Sequence, residues 1–360
     1  MRIRYSLSLM LVVAFITGCQ IDKVVDSDGF QSVYSLTHKS HGEVFLRQPQ
    51  IRVANSALIM VSHLDSETVC RFYSIDNQVE EIGSFGKIGN GPDEFLQPVL
   101  TYADGDEFGI NDINLSTLSV LKIKEERNAV SAEILKKMKA PYKRIKGEFT
   151  PKDVRFIKIG NQNYVSSLCA SNGQFFTLFD SELQPIARFG DSPIKEDVST
   201  ITMRSRMGGK TAVNNYSFYY AATDLPYLAS YTLQNGKMKK DWELFYREPF
   251  YGVSNGDIKY SKENSTGPVI DMEVDDKYIY VLYLDQLLSE YDYTQTEKSL
   301  SNTIFIFNHQ GEKVARLNLD CRLSEMAIDA KRMKVFGIAE IPDVTLVEFK
   351  LPENLFSKSE

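Results

Sequence analysis

The chain has 360 residues, 43% of them apolar and 25% charged, a globular composition that excludes disordered, collagen-like and bulk membrane classes. Lys and Arg number 41 against 48 Asp and Glu, a formal charge of −7, which argues against a nucleic-acid binder because that role needs a basic face. Four Cys and four His leave little material for metal clusters, and the length suffices for one large domain or two.

The first element is an address. Arg2 and Arg4 form a positive n-region, and Leu7 to Thr17 is an apolar run of signal-peptide length. A membrane-spanning helix needs about 20 such residues. The run ends in Ile16-Thr17-Gly18-Cys19: a branched apolar residue, two small ones, then a thiol. That is the lipobox pattern of bacterial lipoproteins, in which a diacylglycerol is transferred to the sulfur before cleavage. A plain signal peptide ending near a Cys is the alternative. The agreement of n-region, h-region and lipobox in order and spacing favours lipidation. Residues 1–18 are therefore expected to be a signal peptide, and Cys19 the lipid attachment site. Acyl chains would hold the protein in the cell envelope, at the outer membrane. Loss of Arg2 and Arg4 leaves 39 basic against 48 acidic residues, near −9, which disfavours contact of the body with anionic lipid. Residues 19–30 read as a flexible tether.

Strand signals dominate the rest of the chain. Ala57 to Val61, Tyr278 to Tyr283 and Thr303 to Phe307 are short runs rich in Tyr, Phe, Val and Ile, as strands prefer. Ser131 to Lys139 is the one candidate helix. Strand, Asx/Gly turn and return strand recur at Phe72 to Val79, Leu178 to Pro185, Tyr231 to Lys237 and Ile306 to Glu312. Units open near Asn55, Asp106, Gly160, Asn214, Asp275 and Asp329, in steps of about 50 to 60 residues, close to the spacing of propeller blades. Six units consume the chain. The expectation is an all-β, six-bladed β-propeller with four-stranded antiparallel blades over residues 31–352, and a C-terminal tail over 353–360. The last unit (Met326 to Phe349) lacks an outer strand, and Gln31 to Leu36 is strand-like without a repeat of its own. It is expected to join the last blade and close the ring, because an open ring exposes two long edges.

Ile304 to Val314 with Leu317 to Asp320 resembles a blade of the TolB-like six-bladed propeller lipoproteins of Bacteroidetes, which share motifs with NHL-type propellers. Gly86 to Phe95 resembles their Gly-x-Gly-Pro-Gly-Glu-Phe turn, with Asp93 where Gly is usual. The resemblance spans nearly the whole mature chain and implies a fold and a location rather than a reaction. In that turn Gly89 and Gly91 permit positive φ, Pro92 fixes the next bend, and Asp93 and Glu94 are placed to cap free N–H groups. Two adjacent carboxylates disfavour an anion nest.

Motifs for chemistry fail on context. Met203 to Thr211 ends like a phosphate loop, but Arg204 stands where the first Gly belongs and a strand follows instead of a helix. Its Arg204, Arg206 and Lys210 remain candidates for an anionic ligand at the propeller mouth, with a solvated surface loop the favoured reading. Gly252-Val253-Ser254-Asn255-Gly256 matches a nucleophile elbow, yet no helix follows, and an Asn-Gly turn is expected. His38, His41, His63 and His309 are scattered and read as surface residues. No Cys-x-x-Cys or His-Glu-x-x-His occurs, so neither metal nor other cofactor is expected. The acidic turns Asp104 to Glu107 and Asp275-Asp276 lack a calcium-loop spacing. Cys70, Cys169 and Cys321 read as buried small hydrophobes, one disulfide among them remaining open. Asp285 to Asn302 is a polar insertion whose Tyr291 and Tyr293 either contact a sugar or partner or form a harmless excursion. The expected role is a monomeric, lipid-anchored, non-enzymatic binding or scaffold module for an envelope protein or glycan. The alternative is an envelope enzyme (lyase or glycoside-active) working at the channel mouth. Buried acids and Arg gathered there, without an exposed apolar patch, would count against a scaffold.

Overall fold

The computed structural model describes residues 28–44, 48–62, 67–76, 78–126, 129–139, 155–166, 174–290, 300–340 and 342–356. Two N-terminal strands, β1 (Ser32–Leu36) and β2 (Lys39–Glu43), precede the blades. Blade one comprises β3 (Gln50–Val53), β4 (Leu58–Val61), β5 (Thr68–Tyr73) and β6 (Glu81–Ile88), with the short β7 (Glu94–Phe95) against β6. Blade two is β8 (Pro98–Asp104), β9 (Glu107–Asp112), β10 (Thr117–Glu126) and β11 (Ala129–Lys139). Blade three is β12 (Phe156–Ile159), β13 (Asn163–Ser166), β14 (Gln174–Phe179) and β15 (Pro185–Asp191). Helix α1 (Thr200–Met207) leads into blade four: β16 (Lys210–Asn214), β17 (Ser217–Ala221), β18 (Tyr227–Gln234) and β19 (Lys237–Phe245). A hairpin, β20 (Tyr251–Ser254) and β21 (Asp257–Tyr260), separates it from blade five. Blade five is β22 (Val269–Val274), β23 (Tyr278–Tyr283), β24 (Ser301–Asn308) and the first half of the long β25 (Lys313–Asp329). The second half of β25 opens blade six, which continues through β26 (Lys334–Glu340) and β27 (Val344–Lys350) to a short helix α2 (Glu353–Phe356). Among the described residues no helix is long and apolar enough to cross a membrane.

Blades stack face to face, so each central strand is buried on both sides. Tyr278 to Tyr283 is wholly buried: Ile279 and Val281 pack towards blade four, Tyr280 and Leu282 towards blade six. That is why such strands read as continuous apolar runs. Among the described residues six apolar clusters result, one between each neighbouring pair of blades. Phe72 and Phe108 meet between blades one and two, Phe156 and Phe179 line the gap between two and three, and Phe176 and Phe218 meet between three and four. Tyr219 and Phe305 belong to the cluster between four and five, Ile306 and Val335 to that between five and six. Met60 and Phe336 close the circle between six and one.

The six expected opening positions all fall at the bend between the first and second strand of a blade. The period is right, and the phase is late by one short innermost strand. Those bends also staple blades together: the Asn55 amide donates to the Gly105 carbonyl at 2.9 Å, the Gly160 amide to the Asn215 carbonyl at 2.7 Å, and Asn214 Nδ2 to the Asp275 carbonyl at 2.8 Å. The four expected hairpins join third to fourth strands. In them Asp180 and Asn308 each accept two backbone N–H bonds, as Asx turns do.

The ring is closed by an N-terminal strand, but not by the segment expected. Gln31 to Leu36 does not join the last blade. Its strand β1 lies parallel to β25 at Ala315 to Leu319, outside blade five. The closing strand is β2, antiparallel to β27 from Lys39↔Glu348 to Glu43↔Thr345, and extended by a 2.7 Å bond from the Val44 amide to the Val344 carbonyl. Lys39-Ser-His-Gly-Glu is mostly exposed and carries no apolar alternation, because an outer strand is recruited through its backbone. Residues 28–30 do not belong to a tether. Asp28 is salt-bridged to Arg247 and Arg316, and Phe30 is buried against Phe305 with ring centroids 4.7 Å apart. Ser131 to Lys139 is not a helix but part of β11, where Ala132, Ile134 and Met138 pack inward and the lysines lie along a solvent edge. The expected tail includes α2, whose Leu355 is buried and whose carbonyl accepts Tyr278 Oη at 2.7 Å.

Candidate functional site

Innermost strands neighbour one another in a complete circle: β3, β8, β12, β16, β22, the second half of β25, then β3 again. Their side chains line a central channel, and several are charged. Arg52 of β3 lies 2.8 Å from Glu273 Oε1 of β22 through Nε, and 3.8 Å from both Asp271 Oδ2 of β22 and Glu325 Oε2 of β25 through Nη1. Arg52 Nη1 also donates to the Ile51 carbonyl at 2.7 Å. Asp271 is fixed by the Met272 amide at 2.9 Å and by the Met326 amide at 3.0 Å, which ties blade five to blade six. The four side chains are 4 to 17% exposed. Lys210, first residue of β16, joins the same electrostatic cluster together with Arg155 at the entry to β12.

Burial governs the protonation of this cluster. It opposes the Arg52 charge, yet Glu273, Asp271 and Glu325 outweigh it and hold the guanidinium protonated more firmly than usual. Burial pushes Glu273 up to about 8 against the pull of Arg52, with Asp271 and Glu325 adding to the rise. Burial and Asp271 push Glu325 up to about 7 against Lys210, Arg52 and Arg155. Burial lowers Lys210, partly offset by Glu325 and Asp271. Three carboxylates, two guanidiniums and an amine thus share a low-dielectric space that favours the protonated form of the two glutamates.

Local backbone places Lys210. Helix α1 is capped by Ser199, whose Oγ accepts the Thr202 amide at 3.2 Å. Gly209 follows with φ +63°, where a Cβ would stand 2.2 Å from the Tyr220 ring. Only glycine turns the chain there from the helix into the innermost strand.

Of the expected ligand residues whose side chains are described, Lys210 joins the channel cluster and Arg206 does not. Arg206 Nη1 is 3.2 Å from Asp224 Oδ2, and the guanidinium lies over the Tyr260 ring at 5.7 Å. This segment is a helix rather than a surface loop, and it precedes the Gly-Gly-Lys instead of following it, so no phosphate loop forms. The Arg204 side chain lies outside the described part of the structure, as do Cys19, Tyr291, Tyr293, His63 and Cys169. Sequence reasoning misses Arg52, Asp271, Glu273 and Glu325. Arg52 is a lone charge in β3, Asp271 and Glu273 alternate with apolar residues in β22, and Glu325 is one of several charges in β25, so charges inside strand-like runs are the one signal available.

Other motifs resolve plainly. Gly252 to Gly256 is the β20–β21 hairpin, with Asn255 and Gly256 both at positive φ, as an Asn-Gly turn requires. In the Gly86 to Phe95 turn, Glu94 Oε2 accepts the Gly91 amide at 2.6 Å, and Gly89 has φ +156° where a Cβ would strike that carboxylate. Gly91 does not use positive φ, and Asp93 is exposed. Cys70 and Cys321 are buried and free. Two histidines are not surface residues. His41 is buried 3.0 Å from Glu348 Oε2, with burial lowering its pKa, and His309 Nε2 lies 3.0 Å from the Asp275 carbonyl with its ring beside Tyr219. Among the described residues the large exposed apolar side chains are Ile88, Leu135, Ile186, Tyr216 and Phe245 on the first four blades, Ile201 on α1 and Phe250 just before β20.

Two solved structures share this architecture. A Bacteroides fragilis NCTC 9343 protein described as exported aligns with a TM-score of 0.52 at 10% identity, covering 89% of this chain and 99% of its own. A member of the DUF4221 family from Bacteroides vulgatus aligns with a TM-score of 0.51 at 11% identity, covering 87% and 94%. At such identities the likeness is one of fold. No curated protein matches the sequence. The model of the TolB-like 6-blade propeller-like family matches residues 28–331, from the Asp28 ion pairs into the last blade, and the chain belongs to that family.

Proposed function

We propose that this protein is a lipid-anchored binding module of the cell envelope that takes a small, charged ligand, such as a glycan or metabolite, at the mouth of its channel. The observation that carries this reading is the convergence of Arg52, Lys210, Asp271, Glu273 and Glu325 from four innermost strands. Burying five ionisable groups costs the fold more than an apolar lining would, and such clusters concentrate at sites of function. The spread of exposed apolar residues supports a small ligand over a protein docked on one flat face.

Thermal-shift screening against acidic, zwitterionic and neutral sugars and metabolites tests the site. A charged ligand is expected to stabilise the wild type, and Lys210→Ala to weaken it at least about tenfold, a loss of about 1.4 kcal/mol. A ligand bound equally by Lys210→Ala and Glu325→Gln would place recognition elsewhere. The anchor has its own test: Cys19→Ala is expected to move the protein from the membrane fraction to the soluble one, and continued membrane association would contradict lipidation at that thiol.

A second reading, an envelope enzyme, is favoured by one observation. Glu325 is buried 3.8 Å from Arg52, and burial beside Asp271 raises its carboxyl toward the range in which a general acid or base works at neutral pH. In that case Glu325→Gln keeps ligand affinity and loses turnover.

A further inference from the structure

Away from the channel, His38, Asp320 and Cys321 bring an imidazole, a carboxylate and a thiol together with their ligand atoms all within 4.8 Å of one another. We propose that these three side chains form a binding site for a divalent zinc-like cation that straps the closing N-terminal segment to the ring.

The site exists because of how β25 changes blades. Consecutive residues of a regular strand point to opposite faces. Here β25 pairs with β24 as far as Asn318 and resumes against Ser301 only at Leu323, so residues 319–322 stand out of register. Within that stretch Asp320 stays exposed and Cys321 buried, yet the ligand atoms of both lie within 4.8 Å of that of His38. His38 comes from the link between β1 and β2, the segment that passes from blade five to blade six. Its ring lies 6.2 Å from Phe349 of β27.

Two of the three donors are already held. Asp320 Oδ1 accepts the His38 backbone amide at 3.1 Å and lies 3.0 Å from His38 Nδ1. That Nδ1–Oδ1 separation is close to the edge of a tetrahedron whose metal–ligand bonds are about 2.0 Å. The Cys321 sulfur lies within 4.8 Å of both. Asp320 is exposed and His38 half-buried, which leaves a fourth position to water, while Cys321 reaches in from the apolar core between blades five and six. Thiolate with imidazole selects zinc or cobalt over calcium or magnesium, which demand oxygen ligands. On binding, the thiol proton leaves to solvent and the sulfur lone pair forms the new bond to the metal. No oxidant or reductant is involved.

Cobalt titration of the full-length chain reads the site directly. One Co²⁺ per chain is expected, with a thiolate-to-cobalt charge-transfer band in the near ultraviolet. Cys321→Ser is expected to abolish the band, and His38→Ala to weaken cobalt binding at least about tenfold. Zinc is expected to raise the unfolding temperature of the wild type and not of His38→Ala, because an ion bound only to the folded state stabilises it. Should Cys321→Ser fold poorly, His38→Ala and Asp320→Asn carry the test, since both side chains reach solvent. Absence of the band at stoichiometric cobalt, or a band that persists undiminished in Cys321→Ser or in both other variants, overturns the proposal.

Discussion

Replacing Phe30 by alanine is expected to destabilise the protein by about 3–5 kcal/mol, the cost of emptying a buried aromatic site. The effect is large for a residue so near the N-terminus because Phe30 fills the apolar cluster between blades four and five. Its ring meets Phe305 at 4.7 Å and Phe307 at 5.8 Å, and the Lys313 ammonium lies over it at 5.5 Å. Two residues earlier, Asp28 reaches Arg247 and lies 3.3 Å from Arg316, while Asp285 lies 2.6 Å from Arg247 and 2.8 Å from Arg316. Two carboxylates and two guanidiniums alternate in a half-buried square, and Arg247 lies over the Phe305 ring at 5.2 Å. The segment Asp28 to Phe30 is therefore a lock at the rim of the ring, followed by β1 on blade five and β2 on blade six. Urea unfolding of Phe30→Ala checks the claim through a lowered midpoint. A midpoint equal to the wild type's would mean that the ring holds without its N-terminal lock.

Arg52→Ala is expected to be equally severe, about 3–5 kcal/mol at neutral pH, because it leaves Asp271, Glu273 and Glu325 facing one another without the guanidinium that they share. The loss should depend on pH with a definite sign. Glu273 and Glu325 have folded-state pKa values of about 8 and about 7, above the ordinary 4.5, so the folded state binds more protons than the unfolded one in between. Stability contributed by these two groups is then complete below about pH 4.5 and is lost as pH rises through about 7 to 8. In Arg52→Ala a charge that holds both glutamates down is gone, their pKa values climb further, and the decline steepens. In Glu325→Gln one titration is gone, and the decline flattens. Unfolding midpoints at about pH 5 and about pH 8 measure this slope. A variant whose stability changes with pH as the wild type's does would show that these carboxylates do not share Arg52.

Much of the architecture is legible in the sequence because propeller blades bury both sheet faces. Runs such as Tyr278 to Tyr283 and Thr303 to Phe307 announce themselves, and Asx/Gly turns such as Asn308 to Gly311 mark the hairpins. Legibility fails where packing does not dictate the side chain. The closing strand Lys39 to Glu43 pairs through its backbone on an exposed edge, so its sequence carries no alternation, and the more apolar Ser32 to Leu36 looks like the closing strand instead. Innermost strands are short and half polar because they face the channel. For that reason the repeat reads one strand late, and Arg52, Asp271, Glu273 and Glu325 carry no motif. Apart from Asp271 and Glu273, which share β22, the site's residues come from strands far apart in the chain and are brought together only when the ring closes. Lys210 stands out in the sequence through a basic run whose other described member, Arg206, pairs outside the channel with Asp224.

The most direct test is native mass spectrometry of the protein captured from its native cells, wild type beside a Lys210→Ala, Glu325→Gln double variant. The expected result is a small charged molecule retained by the wild type and absent from the double variant. A stoichiometric protein partner held equally by both, with no small molecule on either, would contradict a ligand site in the channel and make the propeller a scaffold.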